Sequence, residues 1–466
     1  VSKRENTSQT PTHNATETSK KETVYTNPAS SSQIIFVNTL TGELATNSDL
    51  NKNPLKKLDR EVTLSQIAYS ERIPISSYWE NFSLLPPGCR YTYNHISHSG
   101  KLEIDLFNTK KETTDTPLEV LTSSISSRCK TNYYKRLVVR LSGGVDSTCI
   151  LLSAIEAVGA DRVTAITWLD EKSSANADFK AATALCEKLN ISHLLFKFEP
   201  WYFFQEINLE DHTSVSVSMA SNKVFEKEIE FISSKINGDF IILDGHGGDH
   251  LFLDPVPPAA YQSLLRDKKI IKAAKAFSMF SKLSGLSFYE ALISSYKQRN
   301  HDNYQRSQFF TRHITPPPAI ERPRNLKEEY LQAIAQAIYQ NTTHSNISTD
   351  ILYPFTSKGM IEYALSQDPY DMFDNYNTRL PLRRAANAKY PNIELRRDKG
   401  HITSAYQKAL KYHSNHIIDR LESSWLTQEK LINISHIKKA IRYSSMGFGG
   451  ADQTLIKIAC AALIKI

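Results

Sequence analysis

Hydrophobic and polar positions change their period twice along the chain, and the changes divide it. From Gln33 to Phe107 short alternating runs predict strands over 34–37 and 101–106, a helix near Leu64–Tyr69 and a turn at Pro86-Pro87-Gly88. The polar stretch 108–117 (NTKKETTDTP) reads as a linker. From Leu118 a helix-like segment precedes the apolar strand Leu137–Leu141, the tight polar turn Ser142–Ser147 and the apolar helix Thr148–Val158, ended by Gly159. A strand at Val163–Trp168, a helix at Asp178–Leu189 and strands at Leu194–Phe198 and Phe240–Leu243 follow, the last running straight into Asp244–Asp249. Strands alternating with helices predict an α/β fold, a doubly wound parallel sheet covered on both faces. Beyond about Leu264 the pattern is nearly all helical, broken by the proline loop Thr315–Pro323, and no internal repeat is seen.

Composition adds the ends of this division. Val1–Ser32 is rich in Ser, Thr, Asn, Lys and Glu with few large apolar residues, so it reads as a disordered tail. It lacks the apolar core of a secretory signal, and because the chain starts at Val1 rather than Met, upstream residues are expected to be missing. Three segments are therefore expected: 1–32 as tail, 33–117 as a small α+β domain and 118–466 as the α/β domain with its helical C-terminal part. At 40% apolar and 23% charged residues the chain is ordinary globular material, and no run reaches the roughly 18 apolar residues of a membrane span. Five scattered cysteines without a CxxC pair argue against a disulfide framework or a structural zinc site and for a reducing, cytoplasmic setting. A net charge of +7 is mild and selects no partner by itself.

Three constellations carry chemistry. The first is Ser142-Gly143-Gly144-Val145-Asp146-Ser147, set between a buried strand and a helix. Ligands of open α/β sheets bind at such strand ends, glycines let the backbone approach an anion, and a helix N-terminus favours phosphate. Asp146 would repel a bare phosphate unless a divalent cation lay between them. The second is Gly245-His246-Gly247-Gly248-Asp249, again directly after a strand; a plain backbone turn is its alternative reading. His246 and His250 mimic a metal pair in spacing, but the Gly-Gly between them would not hold a helix, so zinc is not expected. The third is Arg379–Lys399, seven cations against Glu394 and Asp398, a pattern that elsewhere marks a solvated helix face.

The first string resembles the SGGxDS pyrophosphate loop of the N-type ATP pyrophosphatases and is not a Walker A loop. That resemblance implies ATP cleavage between the α and β phosphates, an acyl-adenylate and pyrophosphate as leaving group. With the second and third constellations in order, about Leu118 to Ser404 resembles the synthetase domain of asparagine-synthetase-like enzymes, with an adenine nucleotide α-hydrolase-like fold. Asp249 matches the aspartate that, with the loop aspartate Asp146, holds magnesium there. Ser142, Gly143, Gly144 and Ser147, with Gly247 and Gly248, fall on the nucleotide-binding loops, and Trp168 ends the strand beside which the family holds adenine. Lys399 falls on the lysine that meets pyrophosphate and the charged transition state, and Arg383 on the family arginine. His246 stands where asparagine synthetases have glutamate; as a catalytic residue it could act as base toward an amine or bind the substrate carboxylate. Tyr353–Ser357 resembles the PFLD segment with Ser357 in place of aspartate, whereas Tyr406 and Asp178 read as core or loop residues.

The segment Val62–Tyr93 resembles the end of a glutaminase-like domain, but no cysteine precedes Cys89, so 33–117 reads as a remnant without its nucleophile. Glutamine-derived ammonia is therefore not expected. The histidine in GHGGD, the serine at Ser357 and the adjacent Lys399-Gly400 together resemble the lasso-peptide cyclases. This implies an ATP- and magnesium-dependent ligase with a precursor peptide as substrate, and a leader-binding protein and a leader peptidase as partners. A β-lactam-synthetase-like cyclase, an ammonia-dependent asparagine synthetase and a non-catalytic peptide- or nucleotide-binding scaffold stay open. A nucleic-acid enzyme is not expected, since no basic patch interleaved with aromatics is present.

Overall fold

The computed structural model of the chain describes residues 15–18, 21–31, 33–52, 56–69, 73–106, 115–129, 135–169, 177–208, 212, 214–300, 307–316, 320, 323–341, 351–397, 403–448 and 452–465. The first unit holds strands β1 (Ala15–Thr18), β2 (Glu22–Asn27), β3 (Ile35–Asn38) and β4 (Leu44–Ala45), helices α1 (Asn47–Asn51) and α2 (Arg60–Ala68), and strands β5 (Phe82–Leu85), β6 (Cys89–Asn94) and β7 (Ser99–Ile104). They make two antiparallel sheets, ordered β1-β2-β6-β7 and β4-β3-β5. Asp59 starts α2 by accepting from the Val62 amide at 3.0 Å, the ordinary N-cap chemistry. Residues 22–27, expected in a disordered tail, form a strand instead. Asn27 is 1% exposed and satisfies its buried amide by donating to the carbonyls of Gln33 and Leu85 at 2.9 Å. Composition missed this because the strand is held by hydrogen bonds to β6 rather than by its own apolar content. The linker prediction at 108–117 falls largely outside the described residues.

The second unit begins with α3 (Pro117–Cys129), β8 (Arg136–Arg140), α4 (Val145–Val158), β9 (Val163–Leu169), α5 (Ala177–Leu189) and β10 (Ser192–Lys197). Then come β11 (Ile207–Asn208), α6 (Asn222–Lys235), β12 (Phe240–Leu243) and the short α7 (Gly248–Leu251). The helical part is α8 (Ala259–Arg266), α9 (Ile270–Leu283), α10 (Phe288–Asn300) and α11 (Leu326–Asn341), a further strand β13 (Ile351–Leu352), then α12 (Lys358–Ser366) and α13 (Leu380–Lys389). It closes with α14 (Thr403–Ser423), α15 (Trp425–Gln428), α16 (Ile434–Ser445), α17 (Gln453–Ala462) and β14 (Ile464–Lys465), which pairs with β11.

The central sheet is wholly parallel, ordered β10-β9-β8-β12-β13. Both faces are covered, and the alternation of side chains shows how. Val138, Ile166 and Ile242 enter one core with α6, the first unit and α14 to α17, whereas Leu137, Val139, Ala165, Ile241 and Leu243 enter another with α3, α4, α5, α11 and α12. The first unit thus shares a core with the sheet, and Lys457, 1% exposed on α17, donates to the carbonyls of Gln66 and Tyr69 across that packing. The chain leaves β8 toward β9 and β10 and returns on the other side at β12, so the sheet's order reverses between β8 and β12. A crevice for ligands is expected at the carboxyl ends of that pair. Both glycine-rich strings lie there.

Candidate active site

The loop after β8 is shorter than the sequence suggests, because α4 already starts at Val145, capped by Gly144. Gly143 makes the turn possible: its φ is +72°, and a Cβ there would stand 2.7 Å from Cβ of Ala181. Asp146 consequently lies in the first turn of α4, and Ser147 Oγ is 3.2 Å from Ser142 Oγ and donates to the Gly144 carbonyl at 3.2 Å. The loop after β12 packs directly onto it. A Cβ on Gly248 would stand 2.6 Å from Cγ and 2.8 Å from Oδ1 of Asp146, and one on Gly245 would stand 3.5 Å from the Ser147 nitrogen. Two strings about a hundred residues apart in sequence are therefore one surface.

A cation organises that surface. Arg379, in left-handed backbone (φ +55°) at the head of α13, has a side chain only 6% exposed. Its Nε lies 2.8 Å from Asp146 Oδ1, and its two terminal nitrogens reach Asp249 and Asp254. Burial alone would lower the Arg379 pKa, but the three carboxylates together hold it above the ordinary arginine value. Beside it, a second buried arginine joins the strand ends. Arg140, the last residue of β8, forks onto Glu228 of α6 and donates to Asp244 at 2.8 Å, with its guanidinium 4.8 Å from the Phe225 ring. Glu228 also accepts from Trp168 Nε1 at 2.6 Å, and Asp244 from the His246 amide at 2.7 Å. The ring of His246 stands 5.6 Å from that of His250 and 6.0 Å from that of Tyr353.

Residues 118–464 match the asparagine synthase family. The chain belongs to that family. Among its relatives are NH3-dependent NAD+ synthetases from Thermotoga neapolitana and Thermotoga maritima, each 37% identical, over 84 and 75 residues. A glutamine-dependent NAD+ synthetase from Xylella fastidiosa is 33% identical over 76 residues. These matches take in 18%, 16% and 16% of this chain and 29%, 26% and 14% of those proteins, so the chain spans under a third of the length of the curated relatives it matches. A solved glutamine-dependent NAD+ synthetase from Acinetobacter baumannii, in complex with ADP, overlaps 39% of this chain and 40% of its own at 13% identity, with a TM-score of 0.21, too low to build on.

Within this family member the structure brings Ser142, Gly143, Gly144, Asp146, Ser147, Gly247, Gly248 and Asp249 together. Lys399 lies outside the described residues. Trp168 lies one residue before the end of β9, and its indole is committed to Glu228 and packs against Phe196, Phe198 and Phe225. Arg383 is buried with its guanidinium on backbone: Nε donates to the Thr378 carbonyl at 3.1 Å, and its terminal nitrogens donate to Leu395 and Arg396 at 3.2 and 2.7 Å. That geometry makes it a brace for the loops carrying Arg379 and Arg396. Arg396 itself pairs with Asp178 at 2.6 Å, so Asp178, expected to be a core or loop residue, fixes this loop from the first turn of α5.

The basic run thus divides. Arg384, Lys389 and Arg397 are exposed, while Arg379 and Arg383 are buried. Arg379, Arg140, Glu228 and Asp254 were not singled out from sequence. For Arg379 a signal existed, since it opens the basic stretch 379–399; for the others none did.

Asp146 and Asp249 offer hard oxygens from two loops toward one positive group, and Gly248 leaves the room that Asp146 needs, so the donor set fits a magnesium ion. Among the described residues no three His, Cys, Asp or Glu side chains form a ready cage, which matches an ion held by one or two carboxylates and completed by substrate phosphates. No helix among the described residues is long and apolar enough to cross a membrane.

Proposed function

We propose that the chain is an ATP- and magnesium-dependent carbon–nitrogen ligase that closes a macrolactam in a precursor peptide. An Asp or Glu side-chain carboxylate attacks the α-phosphate of ATP, pyrophosphate leaves, and the peptide's N-terminal amine then displaces AMP from the acyl-adenylate. The coarser part, an ATP-dependent amide-forming ligase, follows from family membership over 118–464 and agrees with the NAD+ synthetases among the relatives. The single observation carrying it is the meeting of 142–147 with 245–249 at the reversal of strand order, with Asp146 and Asp249 on a common cation.

In this reading the amides of Gly143 and Gly144 and the start of α4 receive phosphate oxygens, with the hydroxyls of Ser142 and Ser147 as further donors. Magnesium, when bound, neutralises the triphosphate, and Asp146 and Asp249 are the residues that hold it. Lys399 meets the charge that grows on the departing pyrophosphate. His246 takes the proton of the attacking amine or anchors the carboxylate.

Two further features bear on residues that the resemblance singled out. Cys89 is fully buried and burial pushes its thiol up to about 12, so it is unsuited to glutamine hydrolysis. Ser357, in place of the PFLD aspartate, is spent on structure: it accepts from the Met360 amide at the head of α12 and lies 2.9 Å from Ser124 Oγ. A leader-binding protein and a leader peptidase would act on the same precursor.

The test is product analysis with ATP, magnesium and a linear core peptide. AMP, pyrophosphate and a peptide lighter by one water are expected, together with ATP–pyrophosphate exchange that requires the peptide carboxylate. ADP as product overturns the reading. His246→Ala should remove the acidic limb of the cyclisation pH–rate profile, the fall in rate as the imidazole becomes protonated, while leaving exchange; an unchanged pH–rate profile removes His246 as base.

A further inference from the structure

One oxygen of each carboxylate that this reading gives to magnesium already faces Arg379, and the inference below rests on that reading. Arg379 holds Asp146 at 2.8 Å and also engages Asp249 and Asp254. A guanidinium and a magnesium ion cannot share one carboxylate oxygen at these separations, because the ion demands its own short, near-octahedral contacts. We propose that Arg379 is the resident counter-cation of the metal site and makes uptake of the divalent ion depend on the triphosphate arriving with it.

The argument is one of charge. If a free ion took Asp146 and Asp249, Arg379 would keep only Asp254, and a buried cation that loses its partners is costly. A metal–triphosphate complex brings its own anionic oxygens, which replace the carboxylates Arg379 gives up. The backbone that carries this side chain is fixed. Its residue adopts left-handed backbone, which a non-glycine holds only where the surroundings over-determine it. Here the surroundings do: the Leu380 amide donates to the Met372 carbonyl at 2.9 Å, the Arg383 amide to the Arg379 carbonyl at 3.1 Å, and the Arg383 guanidinium to the carbonyl of Thr378. Asp254 belongs to neither glycine-rich string, so its place in the cluster is to seat the arginine.

The experiment is Mn2+ titration of the EDTA-stripped full chain, followed by electron paramagnetic resonance, with and without α,β-methylene-ATP. Wild type should bind Mn2+ alone weakly and at least tenfold more tightly with the nucleotide. Arg379→Gln should bind Mn2+ alone about tenfold more tightly than wild type, with most of the nucleotide dependence gone. It should also melt lower in EDTA and regain more on adding Mn2+. Equal affinity of wild type and variant for Mn2+ alone overturns the proposal. Should Arg379→Gln fail to fold, Asp254→Asn keeps both the arginine and the two metal carboxylates; it should weaken Mn2+ alone severalfold and raise the nucleotide dependence, because Arg379 then keeps no carboxylate once the ion takes the other two, and no change is equally fatal. A wild-type chain that binds no α,β-methylene-ATP would instead sink the ligase reading, while the Mn2+-only arms still decide the role of Arg379.

Discussion

Two buried arginines lie at the carboxyl edge of the same sheet, each among carboxylates, and they differ in what those carboxylates do besides. Around Arg140 the partners are committed elsewhere: Glu228 is fully buried and accepts from Trp168, and Asp244 accepts from the His246 amide. Around Arg379, Asp146 stands in the first turn of α4, Asp249 in α7 and Asp254 just beyond it, with 13%, 30% and 23% of their side-chain surface in solvent, against 0% for Glu228 and 22% for Asp244. The first cluster is closed and ties the ends of β8, β9 and β12 to α6. The second lies where the two glycine-rich strings meet, and in the proposal above its carboxylates change partner. One ion-pair chemistry would then serve as a brace in one place and an exchangeable seat in the other.

Breaking the brace should have the largest effect on stability. Glu228→Ala leaves Arg140 with Asp244 alone and Trp168 without its acceptor, and loss of a buried partner costs about 3–5 kcal/mol. Urea unfolding measures it; a loss below about 1 kcal/mol would mean that the cluster is no brace. The second cluster should respond in activity instead. In Gly248→Ala the new methyl stands 2.6 Å from Cγ of Asp146 and must push that carboxylate aside. A displacement near 1 Å in a positioned group costs about a hundredfold in rate. Peptide-dependent ATP–pyrophosphate exchange should fall by about that factor with a melting temperature close to wild type. Undiminished exchange would detach Asp146 from the chemistry.

This contrast also marks how far the sequence could be read. Strands β8, β9, β10 and β12 were legible because each centres on a short run dominated by apolar residues, and the glycines of 142–147 and 245–249 located the ligand edge. β13 has two paired residues, Ile351 and Leu352, too few for any period to register. The start of α4 was placed three residues late, because Val145-Asp146-Ser147 looks like turn until the positive φ of Gly143 lets the helix begin beneath it. Arg379 and Arg384 are alike as letters in one basic run. Only the left-handed turn at the head of α13 decides that the first is buried among aspartates and the second stays in water. Arg140 was hidden for the converse reason, as a single polar end to an apolar strand whose partners Glu228 and Asp244 lie 88 and 104 residues away.

The smallest effect sharpens the comparison most. Burial raises the Asp244 carboxyl, but Arg140 and the His246 amide outweigh it, so the group titrates below its ordinary value of 3.8. A depressed carboxyl contributes stability that is complete above its unfolded value and is lost as pH falls through the folded one. Asp244→Asn keeps an acceptor for the His246 amide and loses the charge facing Arg140. It should cost about 1.5 kcal/mol at pH 7, the scale of one hydrogen bond to a charged group. The gap to wild type should narrow below about pH 4, where the unfolded chain's carboxyl takes up its proton, and vanish as pH falls through the lower folded value. A gap of the same size at pH 3 and pH 7 would show that no ionised pair exists. The same measurement separates the two arginines: the cost of Asp244→Asn should not change when Mn2+ and α,β-methylene-ATP are added, because nothing in the closed cluster changes partner. The cost of Asp254→Asn should shrink under those conditions, because the triphosphate then takes over part of what Asp254 supplies to Arg379.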